Sequence, residues 1–290
     1  MNTQKTIKIA LVQLACGENI QDNEQKHIEY IRRAAAGGAR IIGLQELFNA
    51  QYFPQTVDVG NYRFAARIPS NLTDTFSSLA AELEVVLIVP VYEEAMAGVY
   101  FNTALVFDAD GCYLGKYRKN HIPDGPQYHE KFYFTPGDMG YPVFDTRYGR
   151  IAVGICWDEW FPEVARLFAL QGADIIFYPS AIGSEPDRPD YSSHEAWQTV
   201  IRAHGITNGV FIAASNRVGS EKDMTFYGHS FISDPFGEFL ATAGKEETII
   251  YADCDLGKIR EARELLQFLR DRRVDTYGPL LNKIITPSSP

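Results

Sequence analysis

The chain has 290 residues, with 27 Lys and Arg against 37 Asp and Glu, so its formal net charge is −10. Hydrophobic residues make up 46% and charged residues 22%, ordinary proportions for a globular protein with a sizeable core, which excludes disordered, collagen-like and low-complexity chains. The acidic balance argues against a nucleic-acid-binding protein, whose phosphate partner requires a basic footprint, and favours a cationic ligand.

Strand and helix patterns alternate along the chain. Residues 7–14 form a β-rich run, and 22–36 carry helical spacing with Ile28, Ile31 and Ala35 on one face. Gly37-Gly38 stops that helix, and 39–47, ARIIGLQEL, reads as a buried strand. A helix over 71–83, starting near Thr73 or Asp74, precedes a strand over 85–94. Residues 100–118 have the pattern of a hairpin turning at Asp110-Gly111.

The second half repeats the order. A strand over 149–157 leads to a helix from Pro162 to Gly172, then a strand over 173–180, a helix around 192–204 and a strand over 210–216. Residues 228–243 parallel the earlier hairpin, with Pro235-Phe236-Gly237 near the turn. Helices cover one face of each sheet, so the remaining faces bury each other. The expected fold is a four-layer α-β-β-α sandwich built from two similar halves in a single domain, 1–290. From about 257 a charged helical tail, then the polar end ITPSSP, is expected to pack on a neighbouring subunit.

Four cysteines, at 16, 112, 156 and 254, form neither a disulfide framework nor a CxxC pair. The N-terminus has no secretory pattern, and no run approaches the length needed to span a bilayer. These features predict a cytoplasmic protein with free thiols, no membrane partner and no metal.

Three residues fall at predicted strand ends, where stacked α/β sheets build their sites. Cys156 breaks an apolar strand just before a helix, where backbone N–H groups lower a thiol's pKa and hold an oxyanion; a lone cysteine in such a strand is more often structural. Glu46 follows IIGLQ and reads either as a solvated strand-end carboxylate or as a base with a raised pKa. Lys119 lies in the loop YRKNHIPDGPQYHEKF and is either a solvated ammonium or a fixed charge for developing anions. Glu130, eleven residues on, is placed to orient that lysine or to form an ordinary surface pair.

Together the segments LQELFNAQYF, YRKNHIPDGPQYHEKFYFTPGD, GICWDEWFPEVARLFALQGADIIFYPSAIGSEP, ASNRVG and FYGHSFISDPFGE resemble the nitrilase superfamily over roughly residues 7–276. Within it, HIPDGP, HEKFYFTPGD, FYPSAIGSEP and FLRDRRVDTY are similar to the subgroup that hydrolyses N-carbamoylputrescine. The resemblance implies the same sandwich fold and a Glu–Lys–Cys set plus a second Glu, matched here by Glu46, Lys119, Cys156 and Glu130. It implies no cofactor, a homo-oligomer, dimer or higher, and release of putrescine, carbon dioxide and ammonia through a cysteine thioester, as in polyamine biosynthesis from agmatine.

In that mechanism Glu46 takes the thiol proton, and Lys119 with the N–H of Trp157 stabilises the oxyanion, while Asp158 and Trp157 shape the pocket wall. A substrate with a terminal ammonium calls for carboxylates and aromatic faces, for which Tyr52, Asp124, Glu185 and Asp187 are candidates. The alternatives are a β-ureidopropionase, an aliphatic amidase or an ω-amidase using the same residues. A papain-like hydrolase would need His121, His129, His194 or His229 as base but lacks the local motif, and a serine hydrolase elbow is incomplete. A non-catalytic interaction protein would not need all of Glu46, Lys119 and Cys156.

Overall fold

The computed structural model describes residues 6–285, so the first five residues and the end of ITPSSP lie outside the described residues. The first half contains β1 (Thr6–Gln13), α1 (Ile20–Ala36), β2 (Ile41–Gly43), α2 (Asn71–Leu83), β3 (Val86–Met96), β4 (Val99–Phe107) and β5 (Tyr113–Arg118). A one-turn helix, α3 (Glu130–Tyr133), leads to β6 (Val143–Thr146), β7 (Gly149–Val153), α4 (Pro162–Leu170), β8 (Ile175–Pro179), α5 (His194–Asn208) and β9 (Phe211–Ser215). A small hairpin, β10 (Val218–Glu221) and β11 (Met224–Tyr227), precedes β12 (Phe231–Ser233), β13 (Phe239–Thr242), β14 (Thr248–Asp255) and α6 (Gly257–Leu266).

Two six-stranded sheets result, ordered β14-β1-β2-β3-β4-β5 and β13-β12-β9-β8-β7-β6. The second is the first repeated, with β7, β8, β9, β12 and β13 in the places of β1 to β5. Parallel pairing of β1, β2 and β3, and of β7, β8 and β9, follows from the helices that cross between them.

Alternation along the strands assigns the faces. Ile7, Ile9 and Leu11 of β1, Ile41 of β2 and Val86 and Ile88 of β3 join Ile151, Val153, Ile175, Phe177 and Phe211 in one core between the sheets. The intervening Ala10, Val12, Ile42, Leu87 and Val89 meet Ile31 and Ala34 of α1 and Phe76, Leu79 and Ala80 of α2. On the other side Val164, Ala165, Phe168, Trp197 and Ile201 bring α4 and α5 onto the second sheet. This is the α-β-β-α sandwich that the repeat predicts. No helix among the described residues is long and apolar enough to cross a membrane, and all four cysteines are free thiols.

Helix caps explain several boundaries. Asn19 accepts from the N–H groups of Gln21 and Asp22, so α1 starts earlier than the apolar spacing indicates. The Thr73 hydroxyl accepts from the N–H of Ser70, which makes Ser70 the cap of α2. The tail helix α6 stops at Gln267, whose left-handed φ of 46° ends it.

Within the two large sheets, two strands escape the repeat. β6 pairs antiparallel with β7 from just before it, and β14 pairs antiparallel with β1 from the far end of the chain. The C-terminal half thus supplies the edge strand of the N-terminal sheet. The predicted strands 39–47 and 149–157 are shorter, ending at Gly43 and Val153. Glu46 therefore stands in the turn beyond β2, and Cys156 opens a 3-10 turn, Cys156–Trp160, beyond β7.

Candidate active site

The ends of β2, β5 and β7 converge, and they carry a buried ionic cluster. Lys119 Nζ donates to Glu46 Oε1 and to Glu130 Oε2, each at 2.7 Å, and all three side chains are fully buried. Asn102 Nδ2 of β4 donates to the same Glu46 oxygen at 2.7 Å. The second carboxylate oxygen of Glu46, Oε2, is buried without a hydrogen-bond partner and so retains full capacity to accept a proton.

Burial opposes the charge on Lys119, but the carboxylates of Glu130 and Glu46 outweigh it and hold the ammonium well above the usual lysine pKa. Burial raises the Glu130 carboxyl, Lys119 opposes and Glu46 adds to the rise. Tyr52 OH donates to Glu130 Oε1 at 2.5 Å, which leaves both Glu130 oxygens occupied.

The local sequence fixes these positions. Arg118, next to Lys119, makes a two-pronged contact with the buried Glu93 at 2.6 and 3.0 Å. Gly137 lies against the same strand end: its N–H donates to the Lys119 carbonyl at 2.8 Å, and a Cβ there would fall 2.1 Å from the Arg118 oxygen. Below β7, a Cβ on Gly154 would meet the Tyr178 ring at 2.8 Å, so glycine lets the chain leave the sheet close to β8.

Cys156 follows with φ of 47°, a left-handed conformation that a non-glycine residue adopts at an energetic cost. The strain aims the thiol at the sheet ends instead of continuing the strand. Its pKa is well above the ordinary thiol value, through burial first and then the Glu46 carboxylate, with Lys119 pulling the other way. The Cys156 thiol, with its raised pKa, thus lies within the field of a Glu46 carboxylate that has one unpartnered oxygen.

Cys156 forms part of the wall of a cavity of about 210 Å³, together with Trp157, Trp160, Tyr128, Asp124 and Glu185. The cavity lining holds two carboxylates and neither Arg, Lys nor His. Glu185 is half-buried there, and its carboxyl is raised by burial and by Asp187, while the Ser193 hydroxyl lowers it.

Three predicted pocket residues take other places. Asp158 is fully buried behind the turn that bears Cys156, where its oxygens accept from Ile155 N, Tyr117 OH, His121 N and the His121 ring, at 2.7 to 3.0 Å. It braces the turn instead of shaping the wall. Asp187 lines a separate depression with Arg188 and Asp190. Tyr52 also stays out of the cavity and acts on Glu130 from behind.

Three further residues have no counterpart in the sequence reading. Arg217, fully buried after β9, donates to the main-chain oxygens of Glu46, Leu47 and Ala50 and to Glu221 Oε1, at 2.7 to 3.2 Å. Glu221 in turn accepts from Tyr52 N at 2.5 Å. Glu159 is buried within the Cys156–Trp160 turn. Charged residues inside stretches rich in apolar residues, AASNRVG and CWDEWF, are the signal that marks Arg217 and Glu159.

Among the described residues no group of three or more His, Cys, Asp or Glu side chains is arranged to hold a metal ion. A thiol, a carboxylate with an open oxygen and a fixed ammonium are the parts that acyl transfer from nitrogen to sulfur requires.

Fold and site together define an amide-cleaving hydrolase of the nitrilase type. Residues 8–264 match the carbon-nitrogen hydrolase family, and the chain belongs to that family. It is 45% identical to the N-carbamoylputrescine amidase of Solanum lycopersicum over 96% of this chain and 95% of that one. It is 41% identical to a citrullinase of Francisella tularensis over 96% and 99% of the two chains. Among solved structures, a carbon-nitrogen hydrolase from Helicobacter pylori superposes with a TM-score of 0.92 at 38% identity, covering 97% of this chain and 100% of that one.

Proposed function

We propose that the protein is an N-carbamoylputrescine amidase, hydrolysing N-carbamoylputrescine to putrescine, carbon dioxide and ammonia. The observation that carries the reading is the composition of the cavity beside Cys156: two carboxylates, three aromatic side chains and no cation. The substrate has a neutral ureido group at one end and an ammonium at the other. The ureido carbon meets Cys156, and the ammonium meets Glu185 and Asp124 between aromatic faces. Citrulline also carries a ureido group, but its α-carboxylate would face the same two carboxylates without a cation to pair with.

Chemistry begins with transfer of the thiol proton to Glu46 Oε2, and sulfur attacks the ureido carbon. Lys119 and the N–H of Trp157 stabilise the oxyanion; the first N–H groups of a helical turn have no upstream carbonyl to bond. Glu46 returns its proton to the leaving nitrogen, the C–N bond breaks and ammonia departs. Water then gives a proton to Glu46 and attacks the S-carbamoyl intermediate, and the C–S bond breaks to restore the thiol. The carbamate released loses carbon dioxide to give the diamine. Glu130 holds Lys119 in place throughout.

The chain works in this reading as one domain, a soluble cytoplasmic enzyme. Exposed Leu265, Val274, Leu280, Leu281, Ile284 and Ile285 give the tail an apolar surface suited to a second copy of the chain, in a homo-oligomer. The deciding experiment is ammonia release from N-carbamoylputrescine, citrulline, N-carbamoyl-β-alanine and glutaramate in parallel. Preference for the first is expected. Faster turnover of any of the other three would overturn the substrate assignment.

A further inference from the structure

Glu159 has no part in the mechanism above, yet it is buried at 0% exposure three residues after Cys156. Its side chain meets no cation. Oε1 lies 2.7 Å from Trp197 Nε1 of α5, and Oε2 lies 2.7 Å from Ser180 Oγ at the end of β8. Its main-chain oxygen is 2.8 Å from His204 Nε2, also on α5. One residue thus ties the nucleophile turn to both the neighbouring strand and the covering helix.

Donor bookkeeping at these atoms distinguishes the two carboxylate oxygens. An indole N–H only donates, so Oε1 only accepts. A serine hydroxyl can do either, and Ser180 Oγ has a second acceptor, the Tyr178 oxygen, at 3.3 Å. We propose that Glu159 is a neutral carboxylic acid whose Oε2 proton is donated to Ser180 Oγ, and that in this form it positions the nucleophile turn without adding an anion beside Cys156.

The groups around it make the same case. Glu46, Lys119 and Cys156 interact with Glu159 from the cluster, and Tyr178 and Tyr227 from β8 and the β10–β11 hairpin. Two carboxylates already face one ammonium there, and passing the thiol proton to Glu46 leaves that balance unchanged. An ionised Glu159 would add an unpaired charge to a dry interior. Burial is also the leading cause of its strongly raised pKa.

Infrared difference spectra of the whole protein test the proton directly. The wild type at neutral pH should show a protonated-carboxyl band that Glu159→Gln removes; no such difference overturns the proposal. Kinetics test the positioning. Glu159→Leu should lower kcat by about tenfold with KM little changed, and Glu159→Gln, which can accept from Trp197 and donate to Ser180, should recover most of that loss. A glutamine variant as impaired as the leucine one would mean that the charge is needed, and would overturn the idea. Alkylation of Cys156 should follow the same pH curve in Glu159→Gln as in the wild type, whereas a curve moved to lower pH would mean that a negative charge had been removed. The kinetic arm rests on Cys156 as nucleophile; the infrared arm reads Glu159 whatever the enzyme hydrolyses, so the two failures are distinct.

Discussion

Arg217 Nη2 donates to the main-chain oxygen of Glu46 at 2.7 Å, so a guanidinium from the second half of the chain holds the backbone of the proposed base in the first. The same group bonds the oxygens of Leu47 and Ala50 and the carboxylate of Glu221. Leu47 has φ of 49°, and the turn that bears Glu46 keeps this shape because its carbonyls are gripped.

Replacing Arg217 by Lys keeps the charge but loses the fork, leaving carbonyls of the 46–50 turn unpaired. We expect a loss of about 2 kcal/mol in stability and a fall in kcat of about tenfold or more, with KM less affected. Thermal melts and steady-state kinetics on the same preparation check both. A variant that melts lower but turns over normally would mean that the clamp serves the fold alone.

Cys156→Ala should abolish turnover and leave the melting curve close to that of the wild type, because the thiol fills little space. Glu46→Gln separates base from charge. Glu46 is the second cause, after burial, that raises the Cys156 pKa. Its removal should move the alkylation of Cys156 to lower pH while turnover falls by about 100-fold or more. Unchanged alkylation would show that the two groups do not interact.

Glu185→Gln should raise KM for N-carbamoylputrescine by about tenfold and leave a neutral amide little affected. Because the Glu185 carboxyl titrates above the usual range, KM for the cationic substrate should already climb as pH falls into that raised range. A neutral amide should not show this climb, and comparison of the two KM profiles decides the matter.

His27 lies fully buried on α1 with its ring nitrogen Nδ1 2.8 Å from the Asn23 oxygen and its ring edge-on to Phe48. Burial lowers its pKa from 6.5 to about 4. The unfolded chain therefore takes up a proton between these values that the folded chain refuses. Its neutral state favours folding above pH 6.5, and that advantage is lost as pH falls towards 4, a difference of about 3 kcal/mol. Urea midpoints at several pH values should fall less steeply over this window in His27→Gln than in the wild type.

Much of this was legible in the sequence because it is local. The alternation in β1, the glycines after α1 and the Asp110-Gly111 turn depend on near neighbours, and the repeat supplied the layers. Glu46, Lys119, Cys156 and Glu130 stood out because their motifs resemble a known set. Asp158 did not reveal its orientation, because a 3-10 turn, not a continued strand, follows Cys156 and rotates that side chain inward. Arg217 and β14 were hidden for a different reason. The carbonyls that Arg217 grips and the strand that β14 pairs with lie more than 150 residues away, and no periodicity reports a pairing of that kind.

The pairing of β14 with β1 joins Thr6 to Asp255, across most of the described residues. During synthesis, the first sheet therefore waits with an open edge until β14 has left the ribosome. The turn bearing Glu46 waits as well, because Arg217 emerges long after it. Assembly is thus ordered so that the sheet edge and the proposed base become fixed at about the same late moment, and a nascent chain has little chance to present a working thiol before the molecule around it is closed.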